Sequence, residues 1–480
     1  MLFNSLGFLL FFPLVFLLYW FVFNKNLKVQ NLFLLVCSYY FYSCWDWRFL
    51  FLLMTSTLID YYFGLAIHNK EGFQKKLFLW LSIFNNLVIL GFFKYYNFFT
   101  LSTQNLLHHL GFEIHPYLLS IALPVGISFY TFHGMSYVFD IYYKKTKPVS
   151  SFVDYAVFVC FFPLLVAGPI ERATHLLPQV VVKRFFNYEE AKAGLRLVLW
   201  GFFKKVVIAD STAPLVNSIF NAHHTMSGLS LVIGMICFGF QAYGDFGGYS
   251  DIARGTAKLL GFDLIINFNF PFYAKSISEF WRRWHMSLNT WFMDYLYMPI
   301  TIALRNYGKR AIFIGLFVTF FLSGLWHGPS WNYILFGVFH GIALIFEIRT
   351  AKARKKLSKK MPIGIFNFFG RIITFAYVLF TWVFFRARSA HDGANYLTDM
   401  FTRPFIIKPE YKMYIQYMHL PLLFIFLYMV DWINRDANNI SPFFDKIKQR
   451  PVRYGFYLML VLFILLFGTF NKTAFIYFQF

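Results

Sequence analysis

The stretch LSGLWHGPSW (residues 322–331) places an ionisable His327 directly before a Gly-Pro pair, between two apolar segments. Residues 311–325 and 331–347 form these segments, and each is long enough to cross much of a bilayer. A Lys-Arg pair precedes the first segment, and a strongly basic run (352–360) follows the second. Because basic connections stay in the cytosol, the pattern predicts a helical hairpin with both feet on the cytosolic side.

The predicted hairpin puts His327 deep in the membrane. At 1.5 Å per residue, residues 311–325 rise about 22 Å, while the hydrocarbon core is about 30 Å thick. His327 is therefore expected past the midplane and inside the protein. A buried neutral imidazole suits the work of a general base, because desolvation disfavours its charged form. The alternative is a histidine that only hydrogen-bonds a neighbouring helix; the helix breaker behind it favours a shaped cavity.

The composition predicts an all-α polytopic membrane protein with one membrane-embedded domain over residues 1–480. Of its 480 residues, 58% are hydrophobic and 14% are charged, whereas soluble domains average about 45–50% and about 25%. The net charge of +22 resides mostly in short connections between apolar runs. This pattern indicates positive-inside topology and membrane lipid as a partner, and it gives no reason to expect nucleic acid. No disulfide framework is predicted for the four cysteines, Cys37, Cys44, Cys160 and Cys237.

Loop charges predict the topology. Residues 7–23 have no basic region before them and no cleavage site after them, so they are predicted to be a retained span. Lys25 and Lys28 follow the span, which predicts a cytosolic loop there and an N-terminus outside. Residues 70–76 and 349–360 are expected in the cytosol, and 100–116, which contain no Lys or Arg, outside. About 11–13 membrane elements are predicted, some bent or re-entrant at Gly and Pro, which must then be buried in protein. The predicted spans are 7–23, 31–45, 48–67, 77–99, 151–170, 193–209, 228–243, 311–325, 331–347, 366–385, 417–432 and 454–470, with a return to the cytosolic side between 116 and 144; residues 260–300 are the least span-like.

A polar segment, EFWRRWHMSLNTWFMDYLY (residues 279–297), is too charged to face lipid. Each charge at a bilayer centre costs roughly 2.5–3.5 kcal/mol, so the segment must lie at the interface or line the protein interior. Helical spacing predicts that Glu279 pairs with the two arginines. It also predicts one apolar face, made of Trp281, Trp284, His285 and Leu288. His285 is the second candidate for function; the alternative is an interfacial helix anchored by Trp and Arg.

Three further patterns carry weaker predictions. His340 is a third candidate, although core hydrogen bonding is its expected role. Residues 241–255 are predicted to form a tight turn into a helix, with Asp245 as a capping or supporting residue. Their spacing fits neither a calcium loop nor a nucleotide loop. No metal site is predicted, because no two of the three candidate histidines have zinc-ligand spacing.

The motifs together resemble the membrane-bound O-acyltransferase family, and most closely its bacterial alginate O-acetylation branch. They are SFYTFHGMSYVFDIY (128–142), FPLLVAGPIER (162–172), YGDFGGYSDIARG (243–255), FWRRWHMSLNTWFMDYLYMPI (280–300), LSGLWHGPSWNYILFGVFHG (322–341), VFFRA (383–387) and FIYFQF (475–480). The resemblance implies a reaction centre in a tunnel through the membrane. In it His327 would be the catalytic histidine, with His285 opposite. Trp326 and Trp284, beside them in the motifs, are expected to line the tunnel.

The resemblance also implies the reaction and its partners. Acetyl-CoA is the expected donor, with no permanently bound cofactor, in a bacterial inner membrane. The acetyl group would pass to an extracytoplasmic polysaccharide or to an SGNH-type acetyltransferase or other envelope subunit. One alternative is D-alanyl or other acyl transfer from a phosphopantetheine carrier, although the length and the FIYFQF terminus favour the acetyl branch. A second alternative is a proton-coupled transporter or flippase. Such proteins are expected to contain inverted repeats, and the sequence shows none.

Overall fold

The computed structural model describes residues 1–120, 122–406, 411–434, 447–470 and 475, and these residues form two compact units. The first unit comprises Met1–Gly194 and Thr256–Ile265; the second comprises Leu195–Gly255 and Ile266–Phe480. Within the described ranges every regular element is a helix, as the sequence predicts. The predicted single domain stays a prediction.

The first unit is built from short and long helices. Two of them, Leu6–Leu17 and Gly72–Leu90, are extended by π-helical turns at Leu18–Val22 and Gly91–Tyr95. Its α-helices are α1 Leu6–Leu17, α2 Leu27–Ser43, α3 Arg48–Asn69, α4 Gly72–Leu90, α5 Tyr96–His109, α6 Ile127–Tyr142, α7 Phe152–Cys160, α8 Phe162–Leu165 and α9 Ala173–Val180, followed by the start of α10 Tyr188–Phe202.

One cluster of buried polar groups in the first unit is joined by hydrogen bonds around Arg184. The Arg184 guanidinium donates to the Tyr19 hydroxyl, to the side-chain oxygens of Gln30 and Asn31, and to the backbone oxygen of Val180. A buried guanidinium is tolerated only when its donors are satisfied, because desolvation of the charge is otherwise costly. We assign this cluster a structural role.

The second unit contains the hairpin predicted around His327. Its remaining helices are α11 Asp210–Asn221, α12 Gly228–Leu259, α13 Ile277–Trp281, α14 Met286–Phe292, α15 Met298–Ala303, α16 Lys309–His327, α17 Trp331–Ser358, α18 Ile363–Arg386, α19 Ala390–Thr402, α20 Tyr411–Ile415, α21 Leu420–Asn434 and α22 Arg450–Phe467. Single π-helical turns cover Phe203–Ala209 and Met293–Tyr297. Short 3₁₀ turns cover His223–Thr225, Pro271–Tyr273 and Arg305–Tyr307.

Eight helices among the described residues are long and apolar enough to cross a membrane, so the chain is a multi-pass membrane protein. They are Arg48–Asn69, Gly72–His109, Gly228–Leu259, Lys309–His327, Trp331–Ser358, Ile363–Arg386, Met413–Asn434 and Arg450–Phe467, and the shorter apolar helix Leu6–Val22 adds to them. The predicted number of membrane elements is larger than eight because it includes shorter segments, such as those at 151–170 and 193–209. Those pieces are helices interrupted by turns or by a π-helix.

Two local predictions are corrected by the structure. Part of the connection predicted at 100–116 is helical, because α5 continues to His109. The glycine-rich residues 241–255 lie inside the continuous α12 and form no turn. Their glycines serve close helix packing: a Cβ on Gly244 would come within 2.8 Å of the Lys204 oxygen, and one on Gly248 equally close to the Gly201 oxygen. Small residues at helix contacts let backbones approach in this way.

All four cysteines are free thiols, in agreement with the prediction that they form no disulfide framework. Three are buried, and Cys44 is exposed. The terminal FIYFQF motif lies outside the described residues except for Phe475, which is buried and packs its ring 5.0 Å from that of Tyr249.

Candidate functional site in the second unit

His285 occupies a sharp turn between two short helices. The sequence predicted helical spacing from Glu279 to Leu288, but α13 ends at Trp281 and α14 begins at Met286. His285 itself has a left-handed backbone with φ +44°. A non-glycine residue pays about 1–2 kcal/mol for this conformation, so it persists only where its surroundings enforce it. The predicted Glu279–Arg283 ion pair is present at 2.9 Å, whereas Arg282 is exposed.

Asn267 holds the chain on the far side of this turn. Its backbone oxygen accepts from the Met286 amide at 2.9 Å, and its side-chain oxygen accepts from the Ser287 hydroxyl at 2.8 Å. Its amide nitrogen donates to the hydroxyl of Ser250, on α12, at 3.1 Å. Asn267 thus connects the turn to α12 and restricts where the His285 ring can point.

Replacing Asn267 by alanine is expected to lower both the stability of the protein and the rate of the acyl transfer that the family resemblance implies. The change leaves buried hydroxyls without their partner, which costs about 1–3 kcal/mol in the free energy of unfolding. It also loosens the turn, so the rate should fall more than the population of folded protein does. Thermal unfolding and transfer by the purified protein measure the two effects. Unchanged transfer by the folded fraction would contradict the positioning role.

His327 is the last residue of α16, at the tip of the hairpin with α17. The two helices pack closely because glycines face each other: a Cβ on Gly324 or Gly337 would overlap a backbone oxygen of the other helix. The side chain of Asn332, near the start of α17, donates to the backbone oxygens of Phe384 and Ala387 at 3.0 and 2.9 Å. This pair of bonds fixes the end of α18 beside the hairpin tip.

The two histidines lie close to each other in the interior. Their ring centroids are 6.4 Å apart, and His285 is 0% and His327 3% exposed. Phe246 of α12 contacts the His285 ring edge-on at 4.7 Å, and Phe385 contacts the His327 ring at 5.3 Å. The surroundings are almost wholly aromatic, so water has little access to either imidazole.

A small cavity of about 20 Å³ opens against His327. This volume is close to that of one water molecule. Its walls are mostly aromatic and comprise Ala242, Phe246, Trp284, His327, Phe336, Trp382 and Phe385. The imidazole of His327 is therefore the ionisable group that the cavity presents to a small reacting group.

Electrostatics keep His285 neutral. It lies outside the eight candidate spans, and burial holds the pKa of its imidazole well below the usual range. Positive charge on His327 would lower that pKa further. A neutral imidazole carries one N–H donor and one acceptor nitrogen, so His285 can donate a hydrogen bond without carrying charge.

The other predicted site residues fall into two groups. Trp284 lines the cavity, and Trp326 packs its ring 5.7 Å from that of His285. His340 lies farther along the hairpin, where its Nε2 is 2.9 Å from the Thr381 hydroxyl oxygen. That hydroxyl already donates to the Val378 backbone oxygen, so it accepts from the Nε2–H of His340. This geometry is the core hydrogen bond expected for His340.

Asp245 belongs to a buried charge network on α12 and not to a capped turn. The Lys205 ammonium lies 2.8 Å from Asp245 and 2.7 Å from Asp210. Beside it, Lys204 pairs with Asp251, and Arg254 lies 3.9 Å from the same carboxylate. Both lysines come from the π-helical turn Phe203–Ala209, which explains how adjacent residues of one helix reach two carboxylates of α12. The network fixes α12, and with it Phe246.

Lys205→Met is expected to destabilise the protein by about 3–5 kcal/mol, because it removes the cation shared by two buried carboxylates. Methionine keeps a similar length and shape, so the loss reports charge more than packing. The exposed Lys192–Glu189 pair gives a matched control, since Lys192→Met should cost at most about 1 kcal/mol. Thermal or denaturant unfolding in detergent checks both. Equal effects of the two substitutions would show that the buried network contributes no more than a surface pair.

Sequence reasoning missed several residues that build the site. Asn267, Asn332 and Trp382 were not singled out, because their partners lie far away in the chain and no local spacing reveals them. Phe246 and Phe385 lie inside motifs that the sequence analysis quoted, YGDFGGYSDIARG and VFFRA. Their aromatic character was the available signal, although apolar residues are too common in this chain for it to be specific.

Comparison with known proteins gives a family match and several relatives. The sequence model of the membrane-bound O-acyltransferase family matches residues 35–389. A probable alginate O-acetylase AlgI from Pseudomonas syringae pv. tomato is 37% identical over 406 residues, covering 84% of this chain and 75% of that protein. A peptidoglycan O-acetyltransferase from Helicobacter pylori is 34% identical over 419 residues, covering 81% of this chain and 77% of that protein.

A more distant similarity concerns D-alanyl transfer. A teichoic acid D-alanyltransferase from Bacillus subtilis is 30% identical over 278 residues, which cover 56% of this chain and 69% of that protein. The similarity to the two O-acetylating proteins thus extends over a larger part of the chain.

Proposed function

Because this chain belongs to the membrane-bound O-acyltransferase family and is an acyltransferase, we propose that it passes an acetyl group from cytosolic acetyl-CoA across the membrane. The acceptor is a hydroxyl of an extracytoplasmic polysaccharide, reached directly or through a partner acetyltransferase. The observation that carries the proposal is the pair of buried imidazoles, His285 and His327, 6.4 Å apart at a hairpin tip in aromatic surroundings.

The chemistry assigns different work to the two histidines. His327 takes the proton of the acceptor hydroxyl as its oxygen attacks the thioester carbonyl. His285 donates a hydrogen bond to the oxyanion of the tetrahedral intermediate. As the intermediate collapses, the carbon–sulfur bond breaks and the proton on His327 passes to the departing CoA thiolate. Aromatic walls exclude water, which would otherwise hydrolyse the thioester.

A large cavity near the basic feet of the hairpin supports entry of the donor from the cytosol. It has a volume of about 620 Å³ between α17 and α18, with Lys275, Glu347 and Arg354 among mostly apolar walls. Its lining includes Tyr377, whose ring lies 5.9 Å from that of His340. The basic run at 352–360 would attract the phosphates of CoA to this end. The apolar walls suit the pantetheine arm.

The comparisons favour acetyl transfer over D-alanyl transfer. The relatives named for O-acetylation match a larger part of the chain than the D-alanyltransferase does. Their named polymers, alginate and peptidoglycan, are carbohydrates with free hydroxyls, so a cell-envelope polysaccharide is the acceptor we propose. An SGNH-type acetyltransferase or another envelope subunit would carry the acetyl group onward. Because the chain is an acyltransferase, a transporter function is no longer needed to explain its buried histidines.

We propose that the protein lies in a bacterial inner membrane. Its N-terminus is outside, and the basic run 352–360 is in the cytosol. We expect Lys356→Cys, on a background lacking the native cysteines, to react only with reagents on the cytosolic side. His391→Cys, beyond the other end of α18, should react only from outside. Labelling of residue 356 from outside would place the hairpin upside down and remove the argument for a cytosolic donor.

Transport of label into inverted membrane vesicles tests the function. Vesicles from the producing bacterium expose the cytosolic face, so added radiolabelled acetyl-CoA should transfer label to a lumenal polymer or protein. Vesicles from a deletion strain should transfer none, and the restored gene should recover it. Transfer of D-alanine from a loaded carrier protein, with no transfer from acetyl-CoA, would replace the proposal by the D-alanyl alternative.

A further inference from the structure

A cluster of two histidines and two aspartates lies in the second unit, away from the imidazole pair of the proposed reaction. His223 and His224 form the 3₁₀ turn between α11 and α12, and Asp392 and Asp399 come from α19. His223 is 0% exposed, while the His224 side chain is 59% exposed. Nothing in the proposed acyl transfer uses these residues.

Three potential ligand atoms of the cluster converge. Nδ1 of His223 is 2.9 Å and Nδ1 of His224 is 3.4 Å from Oδ2 of Asp399. All three atoms lie within 4.8 Å of one another. Two ligands at about 2.1 Å from a tetrahedral zinc ion are separated by about 3.4 Å. The observed spacing thus needs little movement to receive such an ion.

Asp392 and Arg403 lie behind the potential ligands His223 and Asp399, in the positions of the residues that orient the ligands of a metal ion. Nε2 of His223 lies 3.2 Å from Oδ1 of Asp392, so it can donate to that carboxylate while Nδ1 faces the other ligands. The second oxygen of Asp399, Oδ1, pairs with Nε of Arg403 at 3.1 Å, which leaves Oδ2 directed at the histidines. Carboxylates behind ligating histidines fix the tautomer and orient the ring, and arginine does the same for Asp399.

We propose that His223, His224 and Asp399 bind a divalent transition-metal ion of the zinc class, with Asp392 orienting His223. Two imidazoles and one carboxylate suit zinc better than calcium or magnesium, which prefer oxygen ligands. The exposed edge at His224 admits the ion and leaves room for water as the fourth ligand. The bound ion ties the connection between α11 and α12 to α19. The sequence predicts no metal site from the spacing of His285, His327 and His340. Two adjacent histidines and an aspartate far along the chain match no local zinc motif, so this cluster becomes visible only in the structure.

Zinc binding by the purified full-length chain tests the site. The protein is purified in detergent through a tag without histidines, stripped with chelator, incubated with zinc and desalted. Bound zinc is then counted by elemental analysis, and thermal unfolding is followed with and without the metal. We expect about one zinc ion per chain and a zinc-dependent rise in the unfolding temperature. His224→Ala should remove both, and its exposed position makes misfolding a poor explanation.

Two further variants make the assignment specific. His391→Ala removes an exposed histidine of α19 next to the cluster and should leave zinc binding unchanged. Asp392→Asn removes the outer carboxylate and should weaken binding about 10–100-fold. Equal zinc content in the wild type and His224→Ala, whether zero or one, would overturn the site. The proposal does not rest on the acyl-transfer function, and neither readout depends on it.

Discussion

Replacing His327 by alanine is expected to abolish measurable acyl transfer while the protein still inserts in the membrane. His327 lines the small cavity at the hairpin tip and is 3% exposed, so no water replaces its imidazole as a base. Loss of a general base costs about 10²–10⁴-fold in rate. The hairpin should survive, because its close packing comes from Gly324 and Gly337 and not from the imidazole. Transfer of label from acetyl-CoA into inverted vesicles measures the loss.

The control for His327→Ala separates chemistry from folding. Protein level, membrane insertion and unfolding temperature should remain close to those of the wild type, and His391→Ala should transfer at the normal rate. His327→Gln should also be inactive, because an amide cannot accept a proton near pH 7. Near-normal transfer by well-inserted His327→Ala protein would eliminate His327 as the base.

Replacing His285 by phenylalanine is expected to slow transfer by about two to three orders of magnitude. The ring already packs among aromatic side chains, with Phe246 at 4.7 Å and Trp326 at 5.7 Å, so phenylalanine suits the surroundings. What it removes is the N–H donor, and loss of one oxyanion donor costs about 10²–10³ in rate elsewhere. If His285 only anchors the turn, phenylalanine should be tolerated.

Amide substitutions distinguish the two histidines. His285→Asn or His285→Gln should recover part of the loss seen with phenylalanine, since an amide donates a hydrogen bond. Asparagine has the further advantage that it tolerates the left-handed backbone observed at this position. Equal and complete loss with amides at both positions would refute the division of labour but leave the site in place. Rates with purified protein and acetyl-CoA decide between these outcomes.

The hairpin around His327 could be predicted because its evidence is local. Apolar length, basic feet and a Gly-Pro break are all properties of neighbouring residues, and the structure has α16 and α17 with His327 at their junction. The all-helical membrane class followed from composition in the same way. The family resemblance then identified His285 as its partner, and the structure brings the two rings to 6.4 Å.

The turn at His285 could not be predicted from spacing. Helical spacing was predicted through His285, but contacts with Asn267 help to hold the chain there in a left-handed conformation. The glycines at 241–255 led to the wrong prediction of a tight turn, again because the deciding contacts are distant in the sequence. Glycine marks both turns and close helix contacts, and only the position of Gly201 and Lys204 against α12 shows which one applies here. Long-range partners decided both cases.

A structure of the protein with a non-transferable acetyl-CoA analogue would show whether the thioester carbonyl binds between His285 and His327. An analogue with the thioester sulfur replaced by methylene keeps the carbonyl but has no leaving thiolate. We expect the CoA moiety to lie near Lys275 and Arg354 and the carbonyl oxygen to lie about 2.6–3.2 Å from a nitrogen of His285. The carbonyl carbon should face His327. A bound analogue whose carbonyl contacts neither imidazole would contradict the proposed reaction centre.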